Sequence, residues 1–191
     1  MTEGRDAGEA PLLLVLDALE ALGIRHHLGG SYASSVHGIP RQTRDADLVV
    51  ELDSRAVPRL AGRLRSEFYL DEARLHQAVA RRSSANLIHL ATGFKIDLFV
   101  KGTSPYDDLE LSRSQLTELP GGQGRTVPVK TAEDTVLRKL WWFSQHESER
   151  QWTDVLGVLK AQRGSLDLTY LERWAAELGV ADLLQKALGE A

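Results

Sequence analysis

The 191-residue chain contains no cysteine. A disulfide framework, a thiolate metal site and a cysteine nucleophile are therefore all excluded. Long apolar runs are also missing: the best one, PLLLVLDALEALG, is interrupted by Asp17 and Glu20. It is too short and too charged to span a bilayer, and the opening MTEGRDAGEA lacks the basic start of a signal peptide. The expectation is a cytoplasmic protein with no membrane partner. Positive charge is in deficit, with 23 Lys and Arg against 27 Asp and Glu and a formal net charge of −4. This argues against binding nucleic acid through bulk electrostatics, although a local basic cleft built from Arg41, Arg44, Arg81 and Arg82 would not register in the total. Internal repeats and low-complexity tracts are absent as well.

What the chain does have is enough apolar content, 42%, for one ordinary core or a core with a small satellite. Apolar residues at helical spacing predict a helix over Leu12 to Leu22 that Gly23 stops. A short strand is expected at Ile24 to Leu28, then a helix from Ser31 to His37 closed by Gly38 and Pro40. Asp45 to Leu52 reads as a strand buried on both faces. Arg55 to Ser66 is amphipathic, with Val57, Leu60, Ala61 and Leu64 on one side. Ala85 to Ala91 and Phe94 to Val100 read as strands joined at Thr92 and Gly93. Lys101 to Gly124, with Pro105 and the Pro120-Gly121-Gly122 break, reads as an irregular loop or domain junction. After a last strand at Val127 to Lys130, Thr131 and Asp134 form a capping pattern for a helix through Leu140 and Trp142. Further helices are expected at about 147–160, 169–178 and 181–188. The fold class is α/β, a mixed sheet with flanking helices, with a catalytic domain over 1–130 and a helical region over 131–191.

Two short stretches carry chemistry. Gly29, Gly30 and Ser31 lie where a strand feeds a helix, so backbone N–H groups and the helix dipole converge on one point suited to a phosphate. Glycine lets the backbone approach closely, and the Ser31 hydroxyl can add a hydrogen bond. Ordinary helix capping explains the same residues. Asp45 and Asp47, two apart on a strand, present two carboxylates to one side. They either mark a solvated strand end or share a hard divalent cation that relieves their repulsion. A third carboxylate, Asp97, favours the cation: in the run FKIDLFV an acid is costly without a partner, and a neighbouring strand would aim it at the same metals.

The order Gly30-Ser31, Asp45-x-Asp47 and a lone Asp97 on a later strand resembles the nucleotidyltransferase superfamily, which shares the polymerase-β-like fold. The segment Arg41-Gln42-Thr43-Arg44-Asp45-Ala46-Asp47 resembles the Arg-x-Thr-x-Asp-x-Asp form of small bacterial members, including AbiEii-like toxins and minimal nucleotidyltransferases. The resemblance covers roughly Leu12 to Val100 and extends less specifically into the tail, where Glu133-Asp134-x-x-x-x-Lys139 and Arg150-x-x-x-Asp154 are similar to the helical segment that follows the catalytic sheet. It implies transfer of a nucleoside monophosphate from an NTP to a hydroxyl acceptor, with release of pyrophosphate. Asp45, Asp47 and Asp97 would hold two Mg²⁺ ions, with Mn²⁺ as a substitute, and Asp97 would take the acceptor proton. Gly29, Gly30, Ser31, Arg41, Thr43, Lys139 and Asp154 would bind the nucleotide, Lys139 reaching the triphosphate and Asp154 orienting it. The acceptor is open among tRNA, a protein and a small molecule such as an aminoglycoside, and a protein partner would complete a small site. Gln151-Trp152-Thr153 departs from the pattern of toxin-type members.

Other residues have plainer readings. His26 and His27 are expected as one buried and one solvated side chain, too few ligands for a metal. His37, His76 and His89 show no joint spacing. Trp141, Trp142, Trp152 and Trp174 are expected to pack helices. Arg81-Arg82-Ser83-Ser84 reads as a solvated turn that can also meet a phosphate or nucleic acid. Two other functions fit the same residues: a non-catalytic nucleotide- or partner-binding module of a toxin-antitoxin-like system, and a metal-dependent phosphohydrolase.

Overall fold

The computed structural model describes residues 3–41, 43, 45–119 and 124–191. They form two compact units: one comprises Met1–Leu28 and Gln42–Val129, the other Gly29–Arg41 and Lys130–Ala191. The Pro120-Gly121-Gly122 break lies outside the described residues.

The first unit is built on a seven-stranded mixed sheet. Its strands are β1 (His26–Leu28), β2 (Asp45–Val50), β3 (Phe68–Tyr69), β4 (Ser84–His89), β5 (Lys95–Val100), β6 (Gln115–Glu118) and β7 (Thr126–Val129), in the order β3-β4-β5-β2-β1-β7-β6. β2 runs antiparallel to β1 and parallel to β5. Burial along β2, β4 and β5 alternates strictly. One face of the central strands is core, with Ala46, Leu48 and Val50 beside Ile96, Leu98 and Val100. The other face, with Asp45, Asp47 and Val49, is only half-buried, so the expectation that β2 is buried on both sides is corrected. The alternation of Asp45 and Asp47 with buried Ala46 and Leu48 is the signature of such a two-sided strand.

Helices α1 (Glu3–Ala21), α3 (Val57–Leu64), α4 (Glu72–Arg81) and α5 (Pro105–Ser112) complete this unit. α1 buries Leu12, Leu16 and Leu19 completely, each contributing about 1.5–3 kcal/mol. Gly23, at φ +66°, turns the chain toward β1 through a left-handed conformation that glycine adopts without strain. α3 buries Val57, Leu60, Ala61 and Leu64, the stripe read from the sequence. The region from Lys101 to Gly124 holds more order than its composition suggested. Ser104 accepts a hydrogen bond from the Asp107 N–H, the Asp107 carboxylate accepts from Ser104 in return, and Pro105 takes the first helical turn. Pro105 therefore starts α5 rather than breaking the chain. β6 then pairs with β7.

The second unit gathers α2 (Gly30–His37) with α6 (Ala132–Gln145), α7 (Glu149–Ala161), α8 (Leu168–Glu177) and α9 (Ala181–Glu190). Thr131 caps α6, its hydroxyl accepting from the Asp134 N–H and donating to the Asp134 carboxylate at 2.8 Å. The Tyr170 hydroxyl of α8 donates to the other oxygen of that fully buried carboxylate at 2.6 Å. The C-terminal end of α2 is held by His37 Nε2, which donates to the Lys130 carbonyl at 2.6 Å, and by Gln162, which donates to the His37 carbonyl at 2.9 Å. Trp152 of α7 packs against Phe143 of α6, as expected of a helix-packing aromatic, whereas Trp174 meets Tyr170 within α8 itself. Trp142 is exposed.

Candidate active site

On the sheet, the chemistry sits on the half-buried face. β2 and β5 are in parallel register, with Asp45 opposite Lys95 and Asp47 opposite Asp97. Side chains two apart on a strand share a face, so Asp45, Asp47, Lys95 and Asp97 form a square on two neighbouring strands. Three carboxylates this close would repel. Lys95 answers part of that charge: its Nζ lies 2.7 Å from Asp97 Oδ2. The hydrogen bond to Asp97 raises the Lys95 pKa most, burial opposes it, and the charges of Asp97, Asp45 and Asp47 add to the rise. On the other edge, the Thr43 hydroxyl lies 2.8 Å from the Asp45 carbonyl and 2.9 Å from its Oδ1. Thr43 thus fixes the rotamer of Asp45. β4 adds Asn86, paired across from Asp97 on the same face.

The square fits a cation by its chemistry, because an ammonium already sits against Asp97 within the field of Asp45 and Asp47. It is not a closed cage: among the described residues, no group of three His, Asp or Glu side chains is drawn together around one point.

In the second unit the segment that follows β1 makes a different site. Gly29 is the N-cap of α2 and Gly30, at φ +50°, occupies its first position in the left-handed region. Glycine there lets the chain turn abruptly into the helix. Ser31 is buried on the first turn, and its Oγ accepts from Arg41 Nη2 at 2.7 Å and from Arg150 Nη2 at 3.1 Å. Arg41 also grips Asp154 with both ends of its fork, Nε to Oδ1 at 3.1 Å and Nη2 to Oδ2 at 3.0 Å. Lys139 Nζ donates to Asp154 Oδ2 at 2.8 Å and to Gln151 at 3.0 Å. The Lys139 and Asp154 side chains are only 7% and 9% exposed. Burial pushes the Asp154 carboxyl up, but the hydrogen bonds from Arg41 and Lys139, with their charges, outweigh it and hold the pKa below the ordinary value.

Five residues expected to bind nucleotide, Gly30, Ser31, Arg41, Lys139 and Asp154, are therefore gathered in one cluster, with Gly29 at its edge. Thr43 belongs to the carboxylate face instead, and Gln42 and Arg44 of the same segment lie outside the described residues. Sequence reasoning gave no site role to Arg150 and Gln151 of the cluster or to Lys95 on the sheet. Arg150 was named only as part of the Arg150-x-x-x-Asp154 motif, whose helical spacing puts both residues on one face. The expectation of one buried and one solvated histidine is corrected: His26 and His27 are both buried, because β1 lies inside the sheet between β2 and β7.

No family model matches the chain, and no curated protein matches it. Solved structures do. The chain is similar to an antigenic nucleotidyltransferase-like protein from Paracoccidioides brasiliensis, at 17% identity and a TM-score of 0.54, over 95% of this chain and 92% of that one. It is similar to the antibiotic-resistance factor ANT(2'')-Ia in its solution structure, at 13% identity and TM-score 0.51, covering 95% and 97% of the two chains. The complex of ANT(2'')-Ia with adenylyl-2''-tobramycin matches at 12% identity and TM-score 0.50, over 88% and 94%. At these identities the likeness is one of fold, and the chain has a nucleotidyltransferase-like α/β fold.

Proposed function

We propose that the protein is a metal-dependent nucleotidyltransferase that moves a nucleoside monophosphate from an NTP to a hydroxyl acceptor and releases pyrophosphate. The observation that carries this reading is the register of β2 on β5, which sets Asp47 beside Asp97 with Asp45 on the same face. Asp45, Asp47 and Asp97 are the residues that would hold Mg²⁺, or Mn²⁺, whose bound form supplies charge neutralisation of the triphosphate and lowers the pKa of a coordinated hydroxyl. Thr43 keeps Asp45 in place. Asp97 is the group assigned to the acceptor proton. Ser31, Arg41, Lys139 and Arg150 are assigned to phosphate: Arg41 and Arg150 meet Ser31 on the first turn of α2, and Asp154 is the carboxylate that orders Arg41 and Lys139. The nucleotidyltransferase-like fold supports the assignment. Among the fold's other hosts is a protein solved with an adenylylated aminoglycoside. The AbiEii-like subtype and a cytoplasmic, membrane-free setting stay part of this proposal; among the described residues no helix is long and apolar enough to cross a membrane.

The test is calorimetric titration of each NTP with Mg²⁺ into wild type and Asp45→Ala/Asp47→Ala. Metal-dependent binding lost in the double variant is the expected result. Wild-type protein that binds no NTP would refute the reading. A second reading has its own observation: with Lys95 already on Asp97, one of the three carboxylates is neutralised without metal, as suits a non-catalytic nucleotide- or partner-binding module. That reading requires NTP binding that is indifferent to Mg²⁺.

A further inference from the structure

A polar cavity of about 410 Å³ opens beside Asp97 in the first unit; Asp45 and Asp47 do not line it. Arg74, Gln77 and Arg81 of α4 line it from one side, and Ser84 and Asn86 of β4 from the other. Arg74, Gln77, Ala78 and Arg81 follow i, i+3, i+4, i+7 spacing, so one stripe of α4 faces the space. Among the described residues, neither the Arg74 nor the Arg81 guanidinium meets a carboxylate or any other acceptor, unlike Arg41, Arg65 and Arg125. Asp97, the lining carboxylate, is already engaged by Lys95.

Resting on the transferase reading above, we propose that this cavity is the acceptor site and that it selects an acceptor carrying a phosphate group near its reactive hydroxyl. Two unpaired guanidinium forks on one helix face are matched by phosphate oxygens in bidentate fashion. A polycationic acceptor such as an aminoglycoside would meet like charge there. The polar neighbours, Gln77, Ser84 and Asn86, offer donors and acceptors for a sugar ring, and the volume suits a group of nucleotide size. In the transfer, the acceptor oxygen forms a bond to the α-phosphorus and its proton passes to the Asp97 carboxylate. The bond from the α-phosphorus to the bridging oxygen breaks, and pyrophosphate leaves with that electron pair. The phosphate source is either a free sugar phosphate or the 3′ end of an RNA strand.

The experiment compares wild type, Arg74→Ala/Arg81→Ala and Arg74→Lys/Arg81→Lys, all with Mg²⁺ and NTP. The probes are ribose 5-phosphate, ribose and a single-stranded RNA hexamer with a free 3′ hydroxyl. The result expected is binding of a phosphate-bearing probe, but not ribose, that weakens at least about tenfold in the alanine pair and less in the lysine pair, with NTP affinity unchanged. Binding of ribose 5-phosphate identifies a free sugar phosphate; binding of the hexamer alone identifies an RNA end. Normal NTP binding with no phosphate-bearing probe bound, or with binding equal in all three proteins, overturns the proposal and leaves the transferase reading standing. Loss of NTP binding in wild type overturns both.

Discussion

At the scale of single residues, two charged side chains make opposite statements about pH. Asp154 has its pKa lowered, so its contribution to stability is present above its unfolded value near 3.8 and is lost as pH falls through the lower folded value. Asp154→Asn should therefore cost roughly 1–3 kcal/mol at neutral pH, from hydrogen bonds to two charged partners, and progressively less in acid. Urea unfolding at a series of pH values checks this; a penalty that does not shrink below pH 4 would mean the carboxylate charge is not what orders Arg41 and Lys139. Lys95 has its pKa raised above 10.5, so its contribution is complete at neutral pH and fades only as pH climbs through the folded value. Half-exposed as it is, Lys95→Ala should cost under about 1 kcal/mol in metal-free protein. The same change unmasks Asp97, so Mg²⁺ should raise Tm by more in Lys95→Ala than in wild type. Equal Mg²⁺ shifts would show that Lys95 and the ion do not compete.

Among elements, the legible ones were those whose pattern is local. The α3 stripe, the Thr131 cap and the apolar run of β5 each rest on residues close together in the chain, and each was read in place. Four elements were not, β3 among them because two residues are too few to show a period. α4 buries only Leu75, Ala78 and Val79 under a largely charged sequence, a stripe too thin to stand out. α5 begins at a proline, which was read as a break although position N1 favours it. β6 is an edge strand with Leu116 exposed, so it shows no apolar alternation. Glycines sort in the same manner by their surroundings. A Cβ at Gly38 would lie 2.9 Å from the Ser34 carbonyl and 2.9 Å from the Val158 nitrogen, both backbone atoms. Gly38→Ala should force α2 from α7, cost about 1–3 kcal/mol and weaken phosphate binding, since Arg41 follows within one turn's length. Gly62, inside α3 with nothing within 4 Å, is the contrasting case. There alanine should stabilise by up to about 1 kcal/mol and leave phosphate binding alone. Thermal unfolding and phosphate titration of the two variants test both statements.

Across the whole molecule, the candidate functional residues divide by unit. Asp45, Asp47, Asp97, Lys95 and Thr43 belong to the sheet unit, and Ser31, Arg41, Lys139, Arg150 and Asp154 to the helical one. The carboxylate face was readable because strand period and a single register fix it. In the helical unit, Gly29, Gly30 and Ser31 were readable from the local strand-to-helix turn, whereas Lys139 and Asp154 were readable only through family resemblance, since the partners of the cluster are as far apart as Ser31 and Arg150, 119 residues, and nothing local joins them. The division also crosses the chain three times: the chain leaves the sheet unit after Leu28, rejoins it at Gln42 and leaves it again after Val129. A fragment ending at Lys130 follows the boundary that the sequence suggests, yet it strands α2 without α6 and α7. Buried Ala33 and Ser34 would then face water, and Gly38 would lose the backbone it packs against. Such a fragment should be less stable than the full chain, with a broad unfolding transition and rapid amide exchange across 29–41. The complementary fragment 131–191 should fail to bind phosphate, because Ser31 and Arg41 are absent from it. Mixing it with a peptide of residues 29–41 should restore some phosphate binding. If the fragment ending at Lys130 instead unfolds as sharply as the intact protein and protects residues 29–41 from exchange, α2 does not depend on the C-terminal helices.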